Sequence, residues 1–392
     1  MPRLRHLGPI AASLAGAAVA LALTGCVPNR AVAEAEAIQV TLTDTSCTVK
    51  TATAPAGPVT FQVSNTGSDV NEFEVLAQDK LRIAAERENI GPGTTINYVV
   101  QLAEGSYYTA CRKGMVGSPT SLAKFTVTAG SSDTKTASES KQVAQAVGNY
   151  LAYVKDQAGE LLTATTTFAA AYESGDDAAA RAQYPAARTF YERIEPTAAQ
   201  FGDIDPALDL READLEPGQE WIGWHRIEKD LWAPAGFTTS DAAARKTLGG
   251  RLVADTRRLY DLVHATDFTL SLDQISNGAA GLMEEVSRTK ITGEEEIFSH
   301  TDLWDFHANV EGAEVAYGTV RAILLEKGAT GTATAKQLDS EFATINTLLA
   351  QHKEADGFVS YPQLTTPQVK ALQDSVNALS EPLSRLTSIL VK

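Results

Sequence analysis

The sequence predicts two domains of different class, an all-β sandwich followed by an all-α pair of four-helix bundles. Three observations carry this. From Ile38 to Ala129 apolar and polar residues alternate in short runs, the period of a half-buried strand. Residues 130–141, GSSDTKTASESK, have almost no apolar content and read as a linker. From residue 142 to the end the apolar period lengthens to that of a helix. At 392 residues the chain is too long for one ordinary core.

The elements follow in order. Arg3 and Arg5 precede an apolar stretch from Ile10 to Leu23, too short and alanine-rich for a good membrane span. It ends in Leu23-Thr24-Gly25-Cys26, which resembles a bacterial lipobox. Residues 1–25 are therefore expected to be a lipoprotein signal peptide, with Cys26 lipidated and 26–37 a tether. The mature chain would sit outside the cytoplasm, periplasmic or held by acyl chains to the outer face of the cytoplasmic membrane. In the sandwich, 38–129, the runs IQVTLTD, PVTFQVSN, EFEVLA, TINYVVQL, SYYTAC and AKFTVTA read as strands. Turn signals such as Asn65-Thr66-Gly67 and Gly91-Pro92-Gly93 separate them, which suggests an antiparallel sandwich of six or seven strands. Helices are expected over 142–173, 177–200, 217–233, 240–265, 268–287, 301–327, 332–353 and 365–390, within a helical domain of 142–392. Pro185 should kink the second helix or delay its start.

Formal net charge is −16, an excess of carboxylate that repels nucleic acid and attracts cations, or simply keeps the protein soluble. The segment GWHRIEKDLW holds His225 and Glu228 three residues apart, on one face of a helix and within reach of one ion. A solvated pair is the bland alternative. The neighbours Trp221, Ile222, Trp224, Ile227, Leu231 and Trp232 instead put this helix in the interior, where an imidazole and a carboxylate need partners. FYERIEP adds Glu192 and Glu195 on one face of another helix, with Arg188 and Arg193 close enough in sequence to pair with them. Asp203, Asp205 and Asp209 follow, the first two suited to N-caps. Glu294, Glu295, Glu296, His300, Asp302, Asp305, His307, Glu311 and Glu314 come later, with Ser299-x-x-Asp302 as a capping-box pattern and His307–Glu311 as an i,i+4 pair. Carboxylates around one imidazole suit a hard or borderline ion: iron, manganese or zinc.

YPAARTFYERIEP, FGDIDPALDLRE, GWHRIEKDLW and ITGEEEIFSHTDLWDFHANVEGAE resemble the imelysin-like (M75) family. With the lipobox and the sandwich, nearly the whole mature chain resembles the iron-uptake lipoproteins of that family. The resemblance implies a cupredoxin-like Greek-key sandwich, two four-helix bundles and an H-x-x-E metal site, here His225 and Glu228. It carries over Glu192 and Glu195 as an acidic pair, and Asp209 with Glu294 or Glu295 as further acids. It implies iron, ferrous or ferric, as the ion, with copper or zinc as alternatives. It also implies an EfeU-type iron permease and an EfeB-type haem peroxidase as partners.

Tyr107–Cys111 followed by Met115 fits a cupredoxin loop, but blue copper needs two histidines and residues 38–129 contain none. Two readings stay open: Cys47 and Cys111 form a disulfide, or they ligate a metal with Glu74 and Met115, as the resemblance would suggest. Glu86, Glu88 and Glu104 read as ordinary surface acids. A protease of H-E-x-x-H type is disfavoured, because Arg226 and Lys229 occupy the positions of its base and second histidine. No G-x-S-x-G occurs. A ferroxidase, or a binder of haem or polyanionic polysaccharide, remains the alternative to an iron carrier.

Overall fold

The computed structural model describes residues 37–78, 80, 83–114, 120–129, 137–354 and 357–391. The signal peptide, the lipidation site Cys26 and Met115 lie outside the described residues.

Among the described residues the sandwich has nine strands in two sheets. β1 (Ile38–Leu42), β2 (Cys47–Val49), β4 (Gly57–Asn65) and β7 (Thr95–Leu102) make one, in the order β2-β1-β4-β7. β3 (Thr53–Pro55), β5 (Asn71–Leu76), β6 (Ile83–Ile90), β8 (Gly105–Lys113) and β9 (Thr120–Thr128) make the other, in the order β3-β9-β8-β5-β6. The sandwich is not purely antiparallel: β1 pairs parallel to β4, and β3 parallel to β9. Both exceptions join strands that are not hairpin neighbours, as a chain switching between sheets allows. Alternation in β4 buries Val59, Phe61, Val63 and Asn65. Phe61 packs at a tilt against Phe73 and Phe125, with ring centroids 5.1 and 5.6 Å away. Cys47 and Cys111 form a disulfide that staples β2 in one sheet to β8 in the other. Of the two readings of this pair, the structure has the disulfide.

The helices are α1 (Ala137–Ser174), α2 (Asp177–Glu192), α3 (Ile204–Asp209), α4 (Trp224–Leu231), α5 (Ala242–His264), α6 (Leu272–Arg288), α7 (Asp302–Leu325), α8 (Gly328–Ala350) and α9 (Thr366–Leu390). α1 packs on α2 and α5, α6 on α9, and α8 on α9. α7 touches α1 and α2 on one side and α6 and α8 on the other, so it belongs to both bundles. No described helix is long and apolar enough to cross a membrane.

Four sequence expectations shift. α1 starts at Ala137, inside the expected linker. Pro185 lies within α2, which runs on to Glu192 and is followed by a 3₁₀ turn, Glu195–Gln200. α4 begins only at Trp224, because Gly223 has φ +86°, outside the helical region. Ser299 and Asp302 do not form a capping box: Thr301 is the N-cap of α7, and Asp302 Oδ1 accepts the Glu296 N–H.

The sandwich rests on α6. Asp273 Oδ2 accepts the Gln101 N–H (2.7 Å), Gln274 donates to the Ala84 carbonyl (3.1 Å) and Asn277 to the Val99 carbonyl (3.1 Å). Arg87 and Glu284 form an ion pair across the same joint.

Candidate metal centre

α4 presents the imidazole. At Gly223 a Cβ would lie 2.3 Å from the Leu208 carbonyl oxygen, so only glycine lets the start of α4 close on the end of α3. That contact sets Asp209, the last residue of α3, beside His225. Trp224 is fully buried against Phe168 and Tyr184, with centroids 4.9 and 5.7 Å away, which fixes the rotation of the helix. His225 and Glu228 then face inward, 2% and 0% exposed.

The segment between α6 and α7 supplies the rest. Gly293 (φ +79°) and His300 (φ +59°) let it turn sharply. Because it is not helical, the neighbours Glu295 and Glu296 diverge to opposite edges of one ring. His225 Nε2 faces Asp209 Oδ1 at 3.4 Å and Glu295 Oε1 at 3.6 Å. Nδ1 faces Glu228 Oε2 at 3.4 Å and Glu296 Oε1 at 3.9 Å. In each triad the potential ligand atoms lie within 4.8 Å of one another. Nδ1 and Glu228 are hydrogen-bonded, and the other oxygen of Glu228 accepts the Phe298 and Ser299 N–H groups at 2.9 and 2.7 Å. Nε2 is buried and has no well-formed hydrogen bond among the described residues.

Two buried cations share these carboxylates. Arg188, fully buried, reaches Glu192 Oε1 and Asp209 Oδ1 at 2.5 Å and Glu296 Oε1 at 2.6 Å, with Asp305 Oδ1 at 3.4 Å. Lys290 Nζ reaches both oxygens of Glu195 at 2.7 Å, Glu192 Oε2 at 3.0 Å and Glu295 Oε1 at 3.5 Å. Asn309 donates to Glu192 and Glu195 from α7. Glu192 and Glu195 are thus engaged by Arg188 and Lys290. Glu294 is about half exposed, with Arg211 3.9 Å away.

The electrostatics follow from burial and these pairings. Burial and Arg188 push His225 toward the neutral form, but its contacts with Asp209, Glu228 and Glu295 prevail and raise its pKa well above the usual value. Burial works against the Asp209 carboxylate, yet Arg188 and His225 hold its pKa at about 2. Lys290 and His225 outweigh burial at Glu295 and keep it well below the carboxylate range. Burial, then the neighbouring Glu228, drives Glu296 well above it.

Sequence reasoning left Glu296, Arg188, Asp305, Lys290 and Asn309 out of the site. Glu296 carried a signal, as the third acid of a run. Lys290 carried none. Of the other polar residues noted, His307 pairs with Glu311 at 3.7 Å and packs on Phe358, and Asp205 accepts a hydrogen bond from the Tyr191 hydroxyl.

A cavity of about 640 Å³ separates the sandwich from this centre. Asp209, Glu195 and Glu295 line it from the helices, and Glu72, Glu86 and Glu88 from the sandwich. Glu86 and Glu88 are therefore not ordinary surface acids. Register explains the cluster: Glu74 of β5 stands opposite Glu86 of β6, and Glu72 opposite Arg112 of β8. Glu72, Glu74 and Glu86 offer oxygens within 4.8 Å of one another, and Arg112 lies 2.7 Å from Glu74. Burial and mutual repulsion raise Glu72 and Glu86 well above their ordinary pKa.

Comparison with known proteins gives a consistent result. The imelysin (peptidase M75) family model matches residues 146–386, and a cupredoxin-like domain model matches 15–123. The chain is 34% identical over 361 residues to the iron uptake system component EfeO of Yersinia pestis, covering 91% of this chain and 92% of that protein. It is 35% identical over 363 residues to EfeO of Escherichia coli K12, with the same coverage. Over 376 residues it is 34% identical to EfeO of Yersinia pseudotuberculosis, covering 95% of this chain and 96% of the relative.

Proposed function

This chain belongs to the imelysin (M75) family, with a cupredoxin-like domain in front, and on that premise we propose that it is the iron-binding component of an uptake system. The cation is taken by the helical domain on the Nε2 side of His225, with Asp209 and Glu295 as carboxylate ligands. The observation that carries this is the buried Nε2 atom facing those two carboxylates at 3.4 and 3.6 Å. One ring nitrogen and two carboxylate oxygens within 4.8 Å of one another offer three donor atoms to a single cation. Both carboxylates also line the cavity, so the approach to the site lies on their side.

In this reading Glu228 orients the ring rather than binding the ion. Histidine ligands commonly give their second N–H to a carboxylate, which fixes the ring and raises its basicity. Glu228 meets Nδ1 and is itself pinned by two backbone N–H groups, the arrangement such a role requires. Glu192 and Glu195 serve as nearby acids held by Arg188 and Lys290, and Glu294 as an outer acid. An oxygen-rich set with one imidazole suits ferrous or ferric iron, and zinc by the same donor chemistry. The chain works outside the cytoplasm, anchored through Cys26, and passes iron to an EfeU-type permease alongside an EfeB-type haem peroxidase. Anchoring raises the effective concentration of loaded protein near the pore.

Calorimetric titration of ferrous iron (anaerobically), ferric citrate, zinc and copper into the mature protein tests this. Wild type should bind iron, and His225→Ala should lose at least a hundredfold in affinity. Glu228→Gln should lose about 10- to 100-fold, as for an outer-shell partner. Wild-type affinity in His225→Ala would overturn the assignment.

A further inference from the structure

The Lys290 ammonium is enclosed by carboxylates in a centre read above as a cation site. Its side chain is 2% exposed and meets Glu195 bidentately, Glu192 at 3.0 Å and Glu295 at 3.5 Å. The Glu295 oxygen it approaches, Oε1, is the one that faces His225 Nε2 at 3.6 Å. One carboxylate oxygen therefore stands between a fixed cation and the position proposed for the cargo.

We propose that the Lys290 ammonium is a tethered stand-in for the cargo cation. It offsets part of the negative charge of Glu192, Glu195 and Glu295 while the centre is empty and gives up Glu295 when a metal ion arrives. This rests on the assignment of the cargo to the Nε2 side of His225. The consequence is a carrier that holds its ion less tightly than its ligands allow, and so releases it more readily.

Three features favour Lys290 over Arg188 for this role. Lysine is a point charge on a flexible stem, whereas arginine is a planar fork fixed by several hydrogen bonds at once. Arg188 is locked among Glu192, Asp209 and Glu296 with no exposed atoms. Lys290 has its partners Glu195 and Glu295 on the cavity, where Glu285 offers a further carboxylate for a displaced ammonium. Asn309 also donates to Glu192 and Glu195, at 3.0 and 2.6 Å, so these two stay held if the lysine withdraws. A lysine that only glued the turn after α6 to the end of α2 and its 3₁₀ turn would need no contact with the oxygen facing His225.

The test compares wild type, Lys290→Gln and Lys290→Arg with zinc(II) and with terbium(III), an oxygen-seeking ion read by its luminescence. Lys290→Gln should bind at least tenfold tighter and release more slowly in stopped-flow chelator chase, whereas Lys290→Arg, which keeps the charge on a group less able to withdraw, should bind more weakly than wild type. The gain should be larger for terbium(III) than for zinc(II), because repulsion by a fixed positive charge scales with the charge of the ion. A lysine with a purely structural role would lower the melting temperature without tightening either ion. If Lys290→Gln does not fold, Glu195→Gln/Lys290→Gln removes both halves of the pair and should still bind tighter than wild type. Affinity equal to or below wild type in the folded variant overturns the proposal. If wild type binds and His225→Ala does not, that failure leaves the assignment of the centre standing. If wild type binds neither ion, both fall together.

Discussion

Replacing Cys47 and Cys111 together by serine separates a staple from a ligand set. The bridge spans 64 positions of sequence. In the chain-entropy model, opening a loop of that size returns about 14 cal/mol/K to the unfolded chain, or about 4 kcal/mol at 25 °C. The bridge ties the two sheets together beside the Phe61, Phe73 and Phe125 core, so the loss falls on the sandwich. Native-state hydrogen exchange read by mass spectrometry on residues 57–65 and 95–102 is the direct assay. These amides lie in the β4–β7 ladder and exchange only when the sheet opens. About 4 kcal/mol corresponds to exchange about a thousandfold faster. Zinc affinity at His225 should not change. Unaltered exchange in the sandwich, or loss of zinc binding, would refute the reasoning.

Three more outcomes follow from the same geometry. Gly223→Ala must place a Cβ 2.3 Å from the Leu208 carbonyl at a positive φ, and should cost at least about 3 kcal/mol in urea titration while weakening zinc binding. Asp205 has its pKa raised from 3.8 to about 7, chiefly by burial. Between those values the folded state binds a proton the unfolded chain does not, so stability falls as pH rises from about 4 to about 7. Asp205→Asn should therefore gain on wild type across that window, by about 1–2 kcal/mol once water in the cavity is allowed for, and by a constant amount above it. Metal binding should weaken as pH falls, because His225 is held in its charged form well above its usual pKa and must lose that proton to coordinate. Zinc calorimetry in two buffers of different ionisation heat should show proton release, and its absence would contradict the His225 assignment.

The periodicities made the two domain classes readable, because burial on one face imposes a period of two or 3.6 whatever the tertiary detail. His225 and Glu228 were readable for the same reason: α4 places them on one face, and its tryptophans announce that the face is buried. The division of labour between them was not. It depends on Phe298 and Ser299, 70 and 71 positions away, which hold Glu228 through backbone groups that carry no sequence signal. Glu296 was missed beside Glu295 because neither helix nor strand periodicity applies to the turn from Gly293 to Thr301. Glu192 and Glu195 fall at the end of α2 and the start of the 3₁₀ turn rather than on one helix face, and their counter-ion Lys290 lies 98 and 95 positions away in sequence. Such pairings emerge only when the bundles close.

The joint between sandwich and helices is lopsided in what each side contributes. α6 offers the side chains of Asp273, Gln274 and Asn277, while the strands answer with main-chain groups of Gln101, Ala84 and Val99. Main-chain groups survive almost any substitution. The strand surface can therefore drift in sequence without loosening these three bonds, whereas each change on the helix removes one outright. Among these four contacts Arg87 with Glu284 is the exception, where a change on one side calls for a compensating change on the other. Variation tolerated by the assembled molecule should accordingly gather on one bank of the seam and be purged from the other.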